Sequence, residues 1–361
     1  MSDWPHELDQ PENALAFFLP YPVPCTPYPV PHTLPWRPTV FLTIDQPLDL
    51  ASTLLSGQAF RWRIGDSASF PLPDPLRQTG GLTSSPPTGE TTEGVSGSNP
   101  WYHGVIFHNI VRLRAARGGI EFYSAPDDER VVEPLLRDYL GLNVDIHEVY
   151  RNIGTDDRMR ASIARYPGMR ILRQEPWECL VSFLCAQASN IPRITKNIED
   201  ISTTFGRTIE IDGVRRRSFP TPQELAKATR QQFWDLRLGY RADYIYETTQ
   251  LVAGGQVDLM SLREMEYDAT LQAMLGLPGV GDKVANCIML FSLDRLDAFP
   301  VDVWIDRAMH EWYFTPQGKK MNRKHLRLWA MEQWGRYAGY ANHYLFHGRR
   351  LMGKEEAAQT G

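Results

Sequence analysis

Apolar and polar positions change rhythm once along this chain. Between Thr39 and Ala125 they come in short runs rich in β-branched and aromatic residues: TVFLTID (39–45), QAFRWR (58–63), WYHGVIFHNIVRLRAA (101–116) and GIEFYSA (119–125). Runs of this kind, bounded by turn residues, predict a small antiparallel sheet. After Asp127 the rhythm is helical, as in DDERVVEPLLRDYL (127–140), PWECLVSFLCAQAS (176–189), IPRITKNIEDISTTFG (191–206), YRADYIYETTQLVAG (240–254) and KVANCIMLFSL (283–293). Pro176, Pro192 and Pro222 sit where the first turn of a helix tolerates proline. The pattern predicts an α+β chain: a sheet domain over 39–142, then a helical domain over 143–351 and a short tail over 352–361. No repeat of solenoid period is present.

Two segments fall outside both rhythms. The first 38 residues hold ten prolines, which excludes helix and central strand and predicts an extended or irregular arm. Residues 65–100 are rich in Gly, Ser, Thr and Pro with no apolar period, the composition of a flexible insertion in the sheet domain.

Composition narrows the class. At 361 residues and 42% hydrophobic, the chain has enough apolar surface for more than one domain. No run of 18 apolar residues occurs, so a spanning helix and a membrane partner are not expected. The N-terminus lacks a basic stretch followed by an apolar one, so no secretory signal is expected. Cys25, Cys179, Cys185 and Cys287 are too scattered for a disulfide scaffold, a CxxC zinc site or a four-cysteine iron–sulfur loop. A reduced, intracellular compartment is expected: a bacterial cytoplasm and its nucleoid, or a nucleus in a eukaryote. The net charge of −5 conceals a split. Residues 1–150 carry 9 Lys and Arg against 18 Asp and Glu, whereas residues 151–361 carry 29 against 25. Nucleic-acid binding needs one positive face rather than a positive total, so charge leaves that class open.

The segment with most chemistry is LGLPGVGDKVANCIMLFSLDRLDAFPVDVWIDRAMHEW (275–312). Gly279 and Gly281 permit a tight turn and leave backbone N–H groups uncovered at the start of the next helix, where they suit a phosphate. This is the pattern of a helix-hairpin-helix, which grips the DNA backbone without reading bases; a plain αα-turn with a glycine cap has the same spacing. Lys283 falls in the first turn of the following helix. A helix N-terminus disfavours a cation, which favours the neutral, nucleophilic amine; a solvated surface lysine is the simpler alternative. Asp302 precedes a further helix as an N-cap candidate, and a capping carboxylate facing a lysine would have a defined orientation. Cys287, four residues after Lys283, shares its helix face, as a pocket or a core residue.

LPGVGDKVANC followed by FPVD resembles the helix-hairpin-helix, Gly/Pro-rich loop and aspartate signature of base-excision DNA glycosylases. Within that superfamily the chain resembles the 8-oxoguanine DNA glycosylases over about residues 40–350. The other landmarks are LLSGQAFRWR (54–63), RILRQEPWECLVSFLCAQASNIPRIT (170–195), LGYRADY (238–244) and GRYAGYANHYLF (335–346), in the family's order. The resemblance implies a two-lobed, all-helical glycosylase domain behind the sheet domain. It implies a bifunctional DNA glycosylase/AP lyase that excises 8-oxoguanine opposite cytosine and nicks the strand by β-elimination. The expected partner is duplex DNA with a damaged base, bound by a monomer. No cofactor or catalytic metal is implied, although the resemblance to related hairpins allows a structural cation at the helix-hairpin-helix.

The resemblance also assigns roles. Lys283 is the nucleophile and Schiff-base former, and Asp302 stabilises the cationic sugar. The Gly57 carbonyl accepts from the N7–H that guanine lacks. Phe346 and Cys287 sandwich the extruded base, and Asn342 stands at its Watson–Crick edge. Arg193 and Arg241 bond the estranged cytosine, Tyr240 wedges into the stack, and Asn190, Trp304, Gly279 and Gly281 lie at the DNA. Three positions depart from the family's pattern: Ala188 where an asparagine often plugs the duplex, Asn342 for a longer glutamine, and Trp304 for a histidine. Rivals are another glycosylase of the superfamily, acting on an alkylated or otherwise oxidised base, and a non-catalytic damage-binding protein. An alkylation-repair enzyme would not need Lys283. The endonuclease III and adenine-mismatch branches usually carry a C-terminal four-cysteine cluster, and here the last cysteine is Cys287. A nucleotide-binding oxidoreductase is excluded because no strand precedes GLPGVG.

Overall fold

The structure is a computed structural model that describes residues 39–65, 99–314 and 320–359. The proline-rich arm and most of the 65–100 insertion lie outside the described residues.

The sheet domain is built from β1 (Val40–Thr43), α1 (Leu50–Leu55), β2 (Arg63–Ile64), β3 (Tyr102–Ile106), β4 (Asn109–Ala116), β5 (Gly119–Ala125) and α2 (Glu129–Tyr139). The strands are antiparallel in the order β1-β5-β4-β3-β2. The run 101–116 is two strands, because Phe107 and His108 turn the chain back at φ 44 and 67. QAFRWR is not a strand: pairing begins only at Arg63. Both faces of the sheet are covered. Val111, Leu113, Ile120 and Phe122 pack on Leu54 of α1 and on Val132 and Leu136 of α2. Trp62 lies across Gly104, where a β-carbon would come within 2.5 Å of its ring.

The helical part comprises α3 (Ile146–Ile153), α4 (Asp157–Arg165), α5 (Pro176–Cys185), α6 (Ile191–Phe205), α7 (Pro222–Leu225), α8 (Arg230–Asp235), α9 (Arg241–Ala253), α10 (Tyr267–Leu275), α11 (Asp282–Ser292), α12 (Val303–Met309), α13 (Arg323–Trp334) and α14 (Ala338–Gln359). It has one non-helical addition. β6 (Thr208–Ile211) and β7 (Val214–Arg217) form a hairpin about Asp212 and Gly213, at φ 50 and 76. Ile209, Ile211 and Val214 pack on Val105, Ile110 and Tyr123, the second face of the main sheet.

Two buried side chains knit sheet domain to helices. Gln58 donates to the carbonyls of Thr53 (2.7 Å) and Arg170 (2.8 Å) and accepts from Leu172 N–H (2.8 Å). The Arg170 guanidinium donates to the carbonyls of Gly141 and Val144, both at 2.9 Å. These bonds fix the turn carrying Gly57 against the helical core. α14 approaches α11 closely at Gly339, where a β-carbon would meet Leu290 at 2.1 Å. Among the described residues no helix is long and apolar enough to cross a membrane.

Candidate active site

A cleft of about 860 Å³ opens between α1 and its following turn, α5, α6, α11, α12 and α14. Eight of the expected site residues line it: Gly57, Asn190, Lys283, Cys287, Asp302, Trp304, Asn342 and Phe346. They come from five separate stretches of chain, so only the fold brings them together.

Lys283 is the second residue of α11 and Cys287 sits one turn on. The Lys283 Nζ lies 5.3 Å from the centre of the Phe183 ring, a cation–π contact. Phe183 stacks on Phe291 at 5.6 Å and meets Phe60 edge-on at 5.9 Å, giving the cleft an aromatic floor. Cys287 is 4% exposed. Burial pushes its thiol up and Lys283 opposes that shift, so the thiol is neutral rather than a competing nucleophile.

Asp302 caps α12 by accepting from Trp304 N–H (2.9 Å) and Ile305 N–H (2.8 Å), both through Oδ1. One oxygen is thereby held by the helix, and the carboxylate is oriented on the cleft wall. Asn342 donates to the Pro300 carbonyl at 2.8 Å, which ties α14 to the loop that carries Asp302. Phe346 is half-buried one turn further along α14. Gly57 has φ 97, a backbone state that favours glycine.

The hairpin lies beside the cleft. A β-carbon on Gly279, at φ 75, would come within 2.3 Å of the Tyr244 ring, whereas one on Gly281 would meet open space. Asp, Glu, Asn or Thr side chains cap most of the helices, but α9, α10 and α11 start with no side-chain cap. The first N–H groups of α9 and α11 are available to an external anion, save that of Ala242, which donates to the Gly239 carbonyl at 2.9 Å. Tyr240 stands at the start of α9, 48% exposed and edge-on to Tyr244. Arg193 is exposed on α6, with its N–H bonded to Asn190 Oδ1 at 3.0 Å.

Arg241 departs from the expectation of a free base reader. It is 4% exposed, and its guanidinium donates to the carbonyls of Gln187, Ala188 and Leu238. It thereby clamps the turn between α5 and α6, where Ala188 is held at φ 43. The aromatic floor and the clamp were not identified from sequence. Phe183 lies in an apolar helix where pocket and core have the same pattern, whereas His343, a cleft-lining polar residue on an apolar helix, carried a readable signal.

The sheet domain, the hairpin and the Lys–Asp cleft define a helix-hairpin-helix base-excision DNA repair protein. Residues 40–180 match the N-terminal domain of 8-oxoguanine DNA glycosylase, and residues 181–331 match the HhH-GPD superfamily of base excision DNA repair proteins. The chain belongs to the 8-oxoguanine DNA glycosylase family. An N-glycosylase/DNA lyase of Arabidopsis thaliana is 33% identical over 332 residues, spanning 86% of this chain and 88% of the relative. That of Saccharomyces cerevisiae is 30% identical over 348 residues, spanning 87% and 86%. The 8-oxoguanine glycosylase/lyase of Clostridium acetobutylicum, solved with DNA containing cytosine opposite 8-oxoguanine, superposes with a TM-score of 0.73 at 26% identity, over 89% of this chain and 100% of that one.

Proposed function

We propose that this chain is a bifunctional DNA glycosylase/AP lyase of base excision repair that excises 8-oxoguanine opposite cytosine. The observation that carries the reading is the placing of Lys283, Asp302 and Gly57 on the walls of one cleft. A base in duplex DNA has to leave the stack to be cut, and this cleft has the size class of a small-ligand site.

Phe346 and Cys287 hold the faces of the extruded base. The Gly57 carbonyl accepts from N7–H of 8-oxoguanine; guanine would set a lone pair against it, an unpaired polar contact. The Lys283 amine attacks C1′ as the bond to the base breaks, and the electron pair leaves with the base. Asp302 stabilises the positive charge that develops on the sugar. Loss of a proton from the amine and ring opening give an imine between Lys283 and C1′. Removal of a proton from C2′ then expels the 3′ phosphate, and water releases the enzyme. The uncapped starts of α9 and α11 take backbone phosphates, Tyr240 wedges into the stack, and Arg193 bonds the estranged cytosine. The protein acts as a monomer on duplex DNA, in the cytoplasm of a bacterium or the nucleus of a eukaryote.

Replacing Lys283 by Gln tests the reading. The variant retains binding to a duplex with 8-oxoguanine opposite cytosine and loses borohydride trapping. Trapping at the wild-type rate removes Lys283 from the mechanism.

A further inference from the structure

We infer that His343 and Ser56 form a positioning pair that sets the selectivity of the base pocket; the inference rests on the reading of Gly57 given above. The His343 Nε2 and the Ser56 Oγ lie 2.9 Å apart, although 287 residues separate them in the chain. Both are buried, at 2% and 0% exposure. Ser56 immediately precedes Gly57, and His343 immediately follows Asn342 on α14, one turn before Phe346.

The pair therefore joins two walls of the cleft. On one side stands the turn whose carbonyl accepts from the N7 edge of the base. On the other stands the helix that faces the base's Watson–Crick edge and one of its faces. Gln58 pins the far side of Gly57 to the 170–172 segment. The Ser56–His343 bond pins the near side directly to α14. The His343 ring is further fixed edge-on against Phe291, at 5.7 Å and 73°, and Phe291 stacks on the Phe183 ring beneath Lys283. Recognition through one backbone carbonyl depends on that carbonyl staying within a fraction of an ångström of its place. A buried polar pair is directional, so it fixes the spacing better than an apolar contact would.

The test compares borohydride trapping rates on three duplexes carrying 8-oxoguanine, guanine or an abasic site opposite cytosine. The abasic duplex has no base to read. His343→Phe keeps the ring against Phe291 and removes its nitrogens; Ser56→Ala removes the hydroxyl alone and is the smaller change should His343→Phe fold poorly. Each is expected to lower the ratio of 8-oxoguanine to abasic trapping about tenfold. The Ser56 Oγ also accepts from Gln58 Nε2 at 3.4 Å and lies 3.5 Å from the Thr53 carbonyl, so the double variant loses less than the product of the two single losses, because the Ser56–His343 bond is lost only once. His343→Gln, whose Nε2 can reach the same hydroxyl, restores most of the ratio. Equal loss on all three duplexes, an unchanged ratio in both single variants, or losses that multiply in the double variant overturn the inference. A wild type that prefers 8-oxoguanine no more than guanine overturns the reading of Gly57 itself, and this inference with it.

Discussion

Glu178 is held where its charge is poorly compensated, and the consequence is measurable. It lies on α5 with its carboxylate 3.7 Å from an Arg61 nitrogen and its side chain only 20% exposed. Arg61 already serves Glu199, to which its Nε donates at 3.2 Å, and Glu199 takes a second bond from Arg216 at 2.8 Å. Glu178 is thus the second carboxylate on a cation whose better bond goes elsewhere. Burial pushes its carboxyl from 4.5 up to about 7; Arg61 pulls it down, and Glu175 and Glu199 push it further up. The folded chain therefore holds a proton that the unfolded chain releases between about pH 4.5 and 7, so stability falls as pH rises through that window. A displacement of that size costs the fold about 3 kcal/mol above pH 7. Glu178→Gln keeps the shape and stays neutral. In urea melts the variant's advantage over wild type should grow from under about 1 kcal/mol at pH 5 to about 3 kcal/mol at pH 8. Titrating groups that do not interact with Glu178 are shared and cancel in this difference. A gap that is constant with pH, or that closes as pH rises, would refute the reasoning, the second result meaning that the Arg61 attraction outweighs desolvation.

Asp302→Asn retains an oxygen acceptor for Trp304 and Ile305 N–H, so unfolding free energy should change by less than about 1 kcal/mol while single-turnover excision falls about 100-fold or more; a stability loss with an intact rate would contradict the assignment. Ala188 is exposed at φ 43, so Ala188→Asn should raise stability by about 1 kcal/mol in the same melts, and unchanged or lower stability would refute the strain assigned to this turn. Binding to duplex DNA should weaken steeply with salt as phosphate contacts release counterions; a flat titration would mean that the uncapped starts of α9 and α11 do not meet the backbone.

The hairpin and its lysine were readable because glycine placement and helix starts obey local rules. The main-sheet strands were readable for the same reason, save for the reversal at Phe107 and His108, where Phe107 takes a positive φ that a bulky residue rarely adopts. QAFRWR alternates as a strand does, yet most of it is a loop. The Gln58 amide bonds the backbone of Arg170 and Leu172, and the Gln58 carbonyl accepts from Gln174 Nε2, contacts more than a hundred residues away, which local pattern does not encode. The β6–β7 hairpin carried a legible Asp-Gly turn between alternating residues, overshadowed by the helical rhythm on both sides. Arg241 shows the deeper limit. In GYR it has the look of an exposed contact residue, and only the fold reveals the three carbonyls that it holds.

The central claim is that the Lys283 amine is the group that attacks the sugar. Its most direct test is peptide mapping of the protein after borohydride reduction with a duplex holding one 8-oxoguanine opposite cytosine. The account predicts a reduced sugar–phosphate remnant on the peptide that contains Lys283, and on no other. A remnant on another lysine or on the N-terminal amine would contradict it.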